Sequence, residues 1–182
     1  MLMPRKSMYH NQTVGGLAQI DYWNYRMFKT ISENNKKPVS PGTLGLLVNE
    51  TDHPLFDKFP TKTHSDWQWA VIAKHSRPLI MDSMHEDYRP LVQVIDNVER
   101  NHRLALAFEL AVGEGKLFVC MSDLSEMDSY PEVRQLYLSI LEYMQGEEFN
   151  PKERVTTEQL CRLFESTVAT NKVEELRNIS YD

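Results

Sequence analysis

Cysteine is scarce in this chain of 182 residues: Cys120 and Cys161 are the only two. Neither belongs to a CxxC pair, which excludes a zinc ribbon. One disulfide between them is arithmetically allowed, and a pair of buried free thiols is the preferred reading. No apolar run approaches the ~20 residues needed to span a bilayer. The opening MLMPRKSMYH is charged but has no apolar stretch behind it, so it does not read as a secretory signal. Any export address would lie upstream in a longer protein, and the residues assign no compartment. Basic charge is also short. Twenty Lys and Arg stand against 26 Asp and Glu, interspersed, for a net charge of −6. That balance argues against a nucleic-acid partner, which calls for a basic face. The six histidines, at 10, 53, 64, 75, 85 and 102, form neither HxH nor HExxH. Neither a metal site nor a cofactor is expected from them.

What is present suits one globular domain. Hydrophobic residues make up 41% of the chain and aromatics 10%, enough for a packed core. Residues 1–20, with Gly15-Gly16, read as an irregular lead-in, 21–166 as a single α/β domain and 167–182 as a polar tail. Tyr22 to Glu33 carries helical spacing behind a candidate Asp21 cap, and Pro38 and Pro41 end it. Leu44–Val48, 78–81, Leu91–Ile95, Leu104–Val112 and Lys116–Met121 read as strands. Gly113-Glu114-Gly115 should turn the last two into an antiparallel hairpin. Asp96–His102 should join the strand at 91–95 to the one at 104–112 in the same manner. His64–Ser76 is expected to be a helix capped by Ser65, with Trp67, Val71 and Ile72 on its inner face. Pro131 opens a clear amphipathic helix ended by Gly146. A last helix begins at TTEQLCRLFE with a capping arrangement involving Glu158. Together these elements predict a three-layer α/β sandwich with a mixed sheet.

Five stretches add a resemblance: DYWNYRMFKTISENNKKPVSPGTLGLL, HPLFDKFPTKTHSDWQW, SRPLIMD, YRPLVQVIDNVERNHRLALAFE and GKLFVCMSDL. Together they span about residues 13–165, and HSDWQW and VIDNVERNH are the most specific. They resemble the far C-terminal region of Bacteroidetes-type family 2 glycoside hydrolases, the β-galactosidase-like enzymes. In those enzymes the region is similar to a class I glutamine amidotransferase-like, flavodoxin-like domain appended after the sugar-cleaving core. The resemblance implies an accessory role in carbohydrate metabolism. It also implies that the chain begins inside such a region, leaving the first βα units outside it. The implied partners are the remainder of a glycoside hydrolase polypeptide or a second copy of this chain.

Catalysis by the chain alone is not expected. Retaining glycosidase chemistry needs two carboxylates ~5–5.5 Å apart on a barrel of ~250 residues. Glu99, Glu109 and Asp123 are the acidic residues nearest strands, and none is a good candidate for nucleophile or acid. A diverged amidotransferase-like enzyme is the remote alternative. Its nucleophile elbow, G-x-C-x-G, is absent, no His follows Cys120, and Cys120 lies in the apolar run LFVCMS.

Two polar clusters remain as ligand or interface candidates. His64, Asp66, Trp67, Gln68 and Trp69 form the densest aromatic–polar group. On a helix the two indoles lie about 200° apart, so the preferred reading packs Trp67 in the core and lets Trp69 seal an edge. The alternative is a carbohydrate-binding module that stacks sugar on Trp67 or Trp69. Glu99, Arg100 and His102 belong to the second cluster. It reads first as a hairpin turn with local side-chain bonds, and otherwise as a docking surface.

Overall fold

A computed structural model describes residues 1–3, 45–96 and 101–165. Of the lead-in only residues 1–3 are described, and there Leu2 forms a parallel bridge with Val119; the helix expected at 22–33, Glu99, Arg100 and the C-terminal tail lie outside the described residues. Within them the protein is α/β, with a mixed open sheet of six strands: β1 (Gly45–Val48), β2 (Leu79–Ile80), β3 (Val92–Ile95), β4 (Arg103–Val112), β5 (Gly115–Cys120) and β6 (Arg154–Val155). Three α-helices accompany it: α1 (Ala70–Lys74), α2 (Pro131–Gln145) and α3 (Thr157–Glu165).

The sheet is organised around β4. Antiparallel pairings join β1 to β3, and β4 to β2, β3 and β5; β6 runs parallel to β4. Leu104 faces both β2 and β3, and Ala111 faces both β5 and β6. The shorter strands therefore share the long one end to end, β2 with β5 on one edge and β3 with β6 on the other. On the second edge Val92 pairs with Ala107 and Arg154 with Ala111. Between them lies a seam at Phe108–Leu110, with no strand partner on that edge among the described residues.

The apolar run of β4 is explained by burial on both faces. Helices α1 and α2 cover one face, where Leu104, Leu106 and Ala107 meet Ile72, Leu136 and Ile140. Helix α3 covers the other through Leu163, against Ala105, Phe108 and Leu110. Alternation along β4 changes phase at Leu106–Ala107, because the register with β3 shifts there. The shift is a β-bulge that sets two successive side chains on one face. The β4–β5 hairpin turns through Gly113, whose φ of +58° favours glycine.

The long helix forms as its sequence predicts. Pro131 occupies its first turn, and the Gly146 N–H closes it on the carbonyls of Glu142 and Tyr143. Helix α3 is capped reciprocally. Thr156 Oγ1 accepts the Gln159 N–H, and Gln159 Oε1 accepts the Thr156 N–H. The box partner is thus Gln159 and not Glu158, because the helix starts one residue later than expected and three-residue spacing falls on Gln159.

The segment at 64–76 departs further from expectation. Asp66, not Ser65, is the cap, accepting the Trp67 N–H at 2.8 Å. Trp67–Trp69 is a 3-10 turn leading into the short α1. Its inner face is Trp69, Ile72 and Ala73, so the expected roles of the indoles are exchanged. Trp69 is 0% exposed and Trp67 is 73% exposed. Phe59 meets the Trp69 ring edge-on with centroids 5.0 Å apart, and Trp69 Nε1 donates to Thr61 Oγ1 at 2.8 Å. A buried indole N–H needs such an acceptor, and Thr61 supplies it. The cysteines also differ from expectation: both are free, but Cys161 is exposed, on the outer side of α3.

Candidate functional site

The seam beside Glu109 opens into a cleft of about 830 Å³. Three segments wall it: 49–54 after β1, 85–91 before β3, and 148–153 before β6. Glu109 of β4 and Tyr143 of α2 also line it. Their volume lies within the range of small-molecule sites, ~300–1,000 Å³.

The floor is a packed dyad. Tyr143 donates its hydroxyl to Glu109 Oε2 at 2.7 Å. Burial first, and then the Glu109 carboxylate, push the Tyr143 phenol far above its ordinary range, so it stays a donor. Phe118, Phe149 and the His53 imidazole meet the Tyr143 ring edge-on, His53 with a centroid distance of 5.0 Å. His53 Nδ1 accepts the Leu55 N–H at 3.2 Å. That bond places the proton of a neutral His53 on Nε2. Tyr88 approaches from the second wall, its hydroxyl 3.4 Å from the Glu109 carbonyl oxygen. Burial raises this phenol strongly as well.

The walls are tied together. His85 Nε2 lies 3.0 Å from Glu153 Oε2, which links the 85–91 segment to the strand carrying β6. Asn49 Nδ2 donates to the Pro90 carbonyl at 2.6 Å, which links the 49–54 segment to the entry of β3. Arg103, at the start of β4, holds the segment that carries His85. Its guanidinium donates to the carbonyls of Met81, Met84, His85 and Glu86 at 2.6–3.2 Å. Six carboxylates line the cleft (Glu50, Asp52, Asp87, Glu109, Glu148, Glu153) against two fixed cations, Arg89 and Lys152. Arg89 also donates to the carbonyls of Glu86 and Tyr88.

Those of the residues singled out from sequence that are described fall elsewhere, with one exception. Glu109 lines the cleft. His64 sits in an antiparallel bridge with Leu47 at the β1 edge. Asp66 is a cap, and the Trp67 N–H, followed by Lys62, holds its carboxyl below the usual carboxylate range. His102 Nδ1 pairs with Asp82 Oδ2 at 2.8 Å, and its backbone N–H donates to Asp96 Oδ2 at 3.0 Å. The local bonding expected of the 96–102 connection is therefore present at its described ends. Asp123 accepts the Ser125 hydroxyl. Cys120 is buried beside the Ser122 carbonyl, and burial pushes its thiol up to about 12. At neutral pH that sulfur is a protonated core atom and not a nucleophile. His53, His85, Tyr88, Tyr143 and Glu153 were missed. They come from separate stretches of the chain, around 53, 85–88 and 143–153, and only the fold brings those stretches together. Glu109 did carry a signal: a carboxylate inside an otherwise apolar strand needs a reason.

Among the described residues no group of three His, Cys, Asp or Glu side chains is arranged to hold a metal ion. No described helix is long and apolar enough to cross a membrane. A family model described as a domain of unknown function (DUF8487) matches residues 1–165. No curated protein matches the chain.

Proposed function

We propose that this chain, which belongs to the DUF8487 family, is a non-catalytic accessory domain of a larger polypeptide of the family 2 glycoside hydrolase type. One observation carries the reading: in the two phrases that make the resemblance specific, the described residues other than Trp67 mostly serve the structure. In HSDWQW, Asp66 caps a turn, Gln68 Nε2 donates to the Pro60 carbonyl and Trp69 fills the core. In VIDNVERNH, Val94 is core, and Asp96 and His102 bond to each other at the described ends of the β3–β4 connection. A likeness made of such residues is a likeness of scaffold, and a scaffold role follows most directly from it.

Trp67 gives that scaffold a contact point. Its indole stands outward on a turn fixed by the buried Trp69, and exposed Trp is a residue type enriched at binding hot spots. The remainder of the parent polypeptide is the preferred partner. A sugar-stacking role is the second reading, and it rests on Trp67 alone because Trp69 has no exposed face. The finer flavodoxin-like, glutamine amidotransferase-like assignment belongs to the same proposal. Helices on both faces and the parallel β4–β6 pair support it, whereas the four antiparallel pairings are unlike a doubly wound sheet.

The test is reconstitution. The purified chain is expected to leave chromogenic galactosides intact. It should also co-elute with a family 2 β-galactosidase truncated before its own C-terminal accessory region, in a manner weakened by Trp67→Ala. Turnover by the isolated chain would refute the non-catalytic reading. Saturable galactoside binding lost in Trp67→Ala would favour the second.

A further inference from the structure

We infer that the cleft at the β4 seam is a binding site for a small polyhydroxylated amine, the chemistry of an amino sugar. The docking reading above does not require it, and neither inference depends on the other. The argument begins with charge. Carboxylates outnumber fixed cations six to two around one concave space, so an anionic ligand is repelled and a cation attracted. The cation is not a bare metal ion, because the carboxylates surround a volume instead of converging on a point among the described residues. A space of about 830 Å³ suits an organic cation with a body.

The hydrogen-bonding groups describe that body. Glu109 Oε2 is taken by the Tyr143 hydroxyl, which leaves Oε1 to accept from a ligand at the floor. The dyad is held by Phe118 and Phe149 on neighbouring elements, so this acceptor is pre-organised. His53, with Nδ1 already accepting from Leu55, offers an Nε2–H donor. Asn49, with its amide N–H on Pro90, keeps Oδ1 as an acceptor. The cleft thus offers a donor at His53 beside acceptors at Glu109 and Asn49. Hydroxyl groups, which both donate and accept, match the rim, and an ammonium matches the floor.

Calorimetry on the full chain tests this with three probes: glucosamine, N-acetylglucosamine and glucose. At about pH 6, where an amine of this type is protonated, and at low salt, glucosamine should bind at least about tenfold more tightly than either neutral sugar. Raising the salt should narrow the gap. Glu109→Gln keeps a group able to bond Tyr143 and removes the charge, so it should bring glucosamine down to the level of glucose. Glu158→Gln, outside the cleft on α3, should change nothing. If Glu109→Gln does not fold, Asp87→Asn and Glu153→Gln each serve, with a smaller loss expected from either. Equal affinity for the three sugars, no saturable glucosamine binding below about 10 mM, or a preference that survives all three cleft substitutions would overturn the proposal. Ethanolamine binding as tightly as glucosamine would overturn its polyhydroxyl half.

Discussion

Removing the Arg103 guanidinium should loosen one wall of the cleft and cost the fold a measurable part of its stability. In the native protein that group donates to four backbone carbonyls, at 2.7 Å (His85), 3.2 Å (Glu86), 2.9 Å (Met81) and 2.6 Å (Met84). The bonds to Met81 and Met84 are partly buried, and those to His85 and Glu86 face solvent. Counting ~1 kcal/mol for each partly buried bond and about half that for each exposed one gives ~3 kcal/mol for Arg103→Met. For a domain of this size that is a fall of about 6–12 °C in Tm by circular dichroism. Arg103→Lys keeps the charge but replaces a planar fork with a point donor that cannot span four carbonyls. It should recover less than half of the loss. Amide exchange should rise first at 83–88, ahead of β4 itself, because those carbonyls organise the loop. A loss below ~1 kcal/mol, or full rescue by lysine, would refute the reasoning.

The other predictions concern the indoles and the thiols. Trp69→Ala should cost ~3–5 kcal/mol in denaturant unfolding, as expected for deleting a fully buried aromatic, whereas Trp67→Ala should stay within ~0.5 kcal/mol of the parent; the reverse order would overturn the assignment of core and surface. A thiol-alkylating reagent at neutral pH should label Cys161 and spare Cys120 until the protein unfolds. Stability should also fall in alkali. Burial raises the Cys120 thiol from 9.0 to about 12, so the unfolded chain gives up this proton first. The contribution is complete below pH 9.0 and drains away as pH rises towards about 12, with the buried Tyr88 and Tyr143 phenols acting in the same sense. Cys120→Ala should flatten the early part of that decline, and an unchanged alkaline profile in this variant would count against it.

Local pattern made most of the sheet and the long helix legible. Turn glycine at 113 and Pro131 mark boundaries by the torsions they impose, and the strands between them are short apolar runs. The indoles were misplaced for a definite reason. In WQWAVIAK almost every position is apolar, so the stripes 67-71-72 and 69-72-73 fit a helix equally well. What decides between them is Thr61 and Phe59 waiting for Trp69, a tertiary fact. The bulge at Leu106–Ala107 was hidden likewise, since a strand buried on both faces shows no alternation to break. The cleft was the least legible feature. His53, Glu109 and Tyr143 stand 56 and 34 residues apart along the chain, and no periodicity relates them.

The pairings of the central strand also differ widely in how much chain they enclose. Of the four partners of β4, only β5 is joined to it by a two-residue turn, and a hairpin of that kind closes in about 1–10 μs. Strands β2 and β3 arrive across their own connections. Of the four pairings with β4, that of β6 encloses the longest stretch of chain, because β6 follows α2, and so carries the largest loop-closure cost. When it docks, Glu153 comes with it, its carbonyl accepting the Ala111 N–H at 2.7 Å and its carboxylate reaching His85. The cleft is therefore completed by the β4 pairing that is most distant along the chain. A chain lacking that one pairing would keep most of its sheet and core and would lose a wall of the cleft.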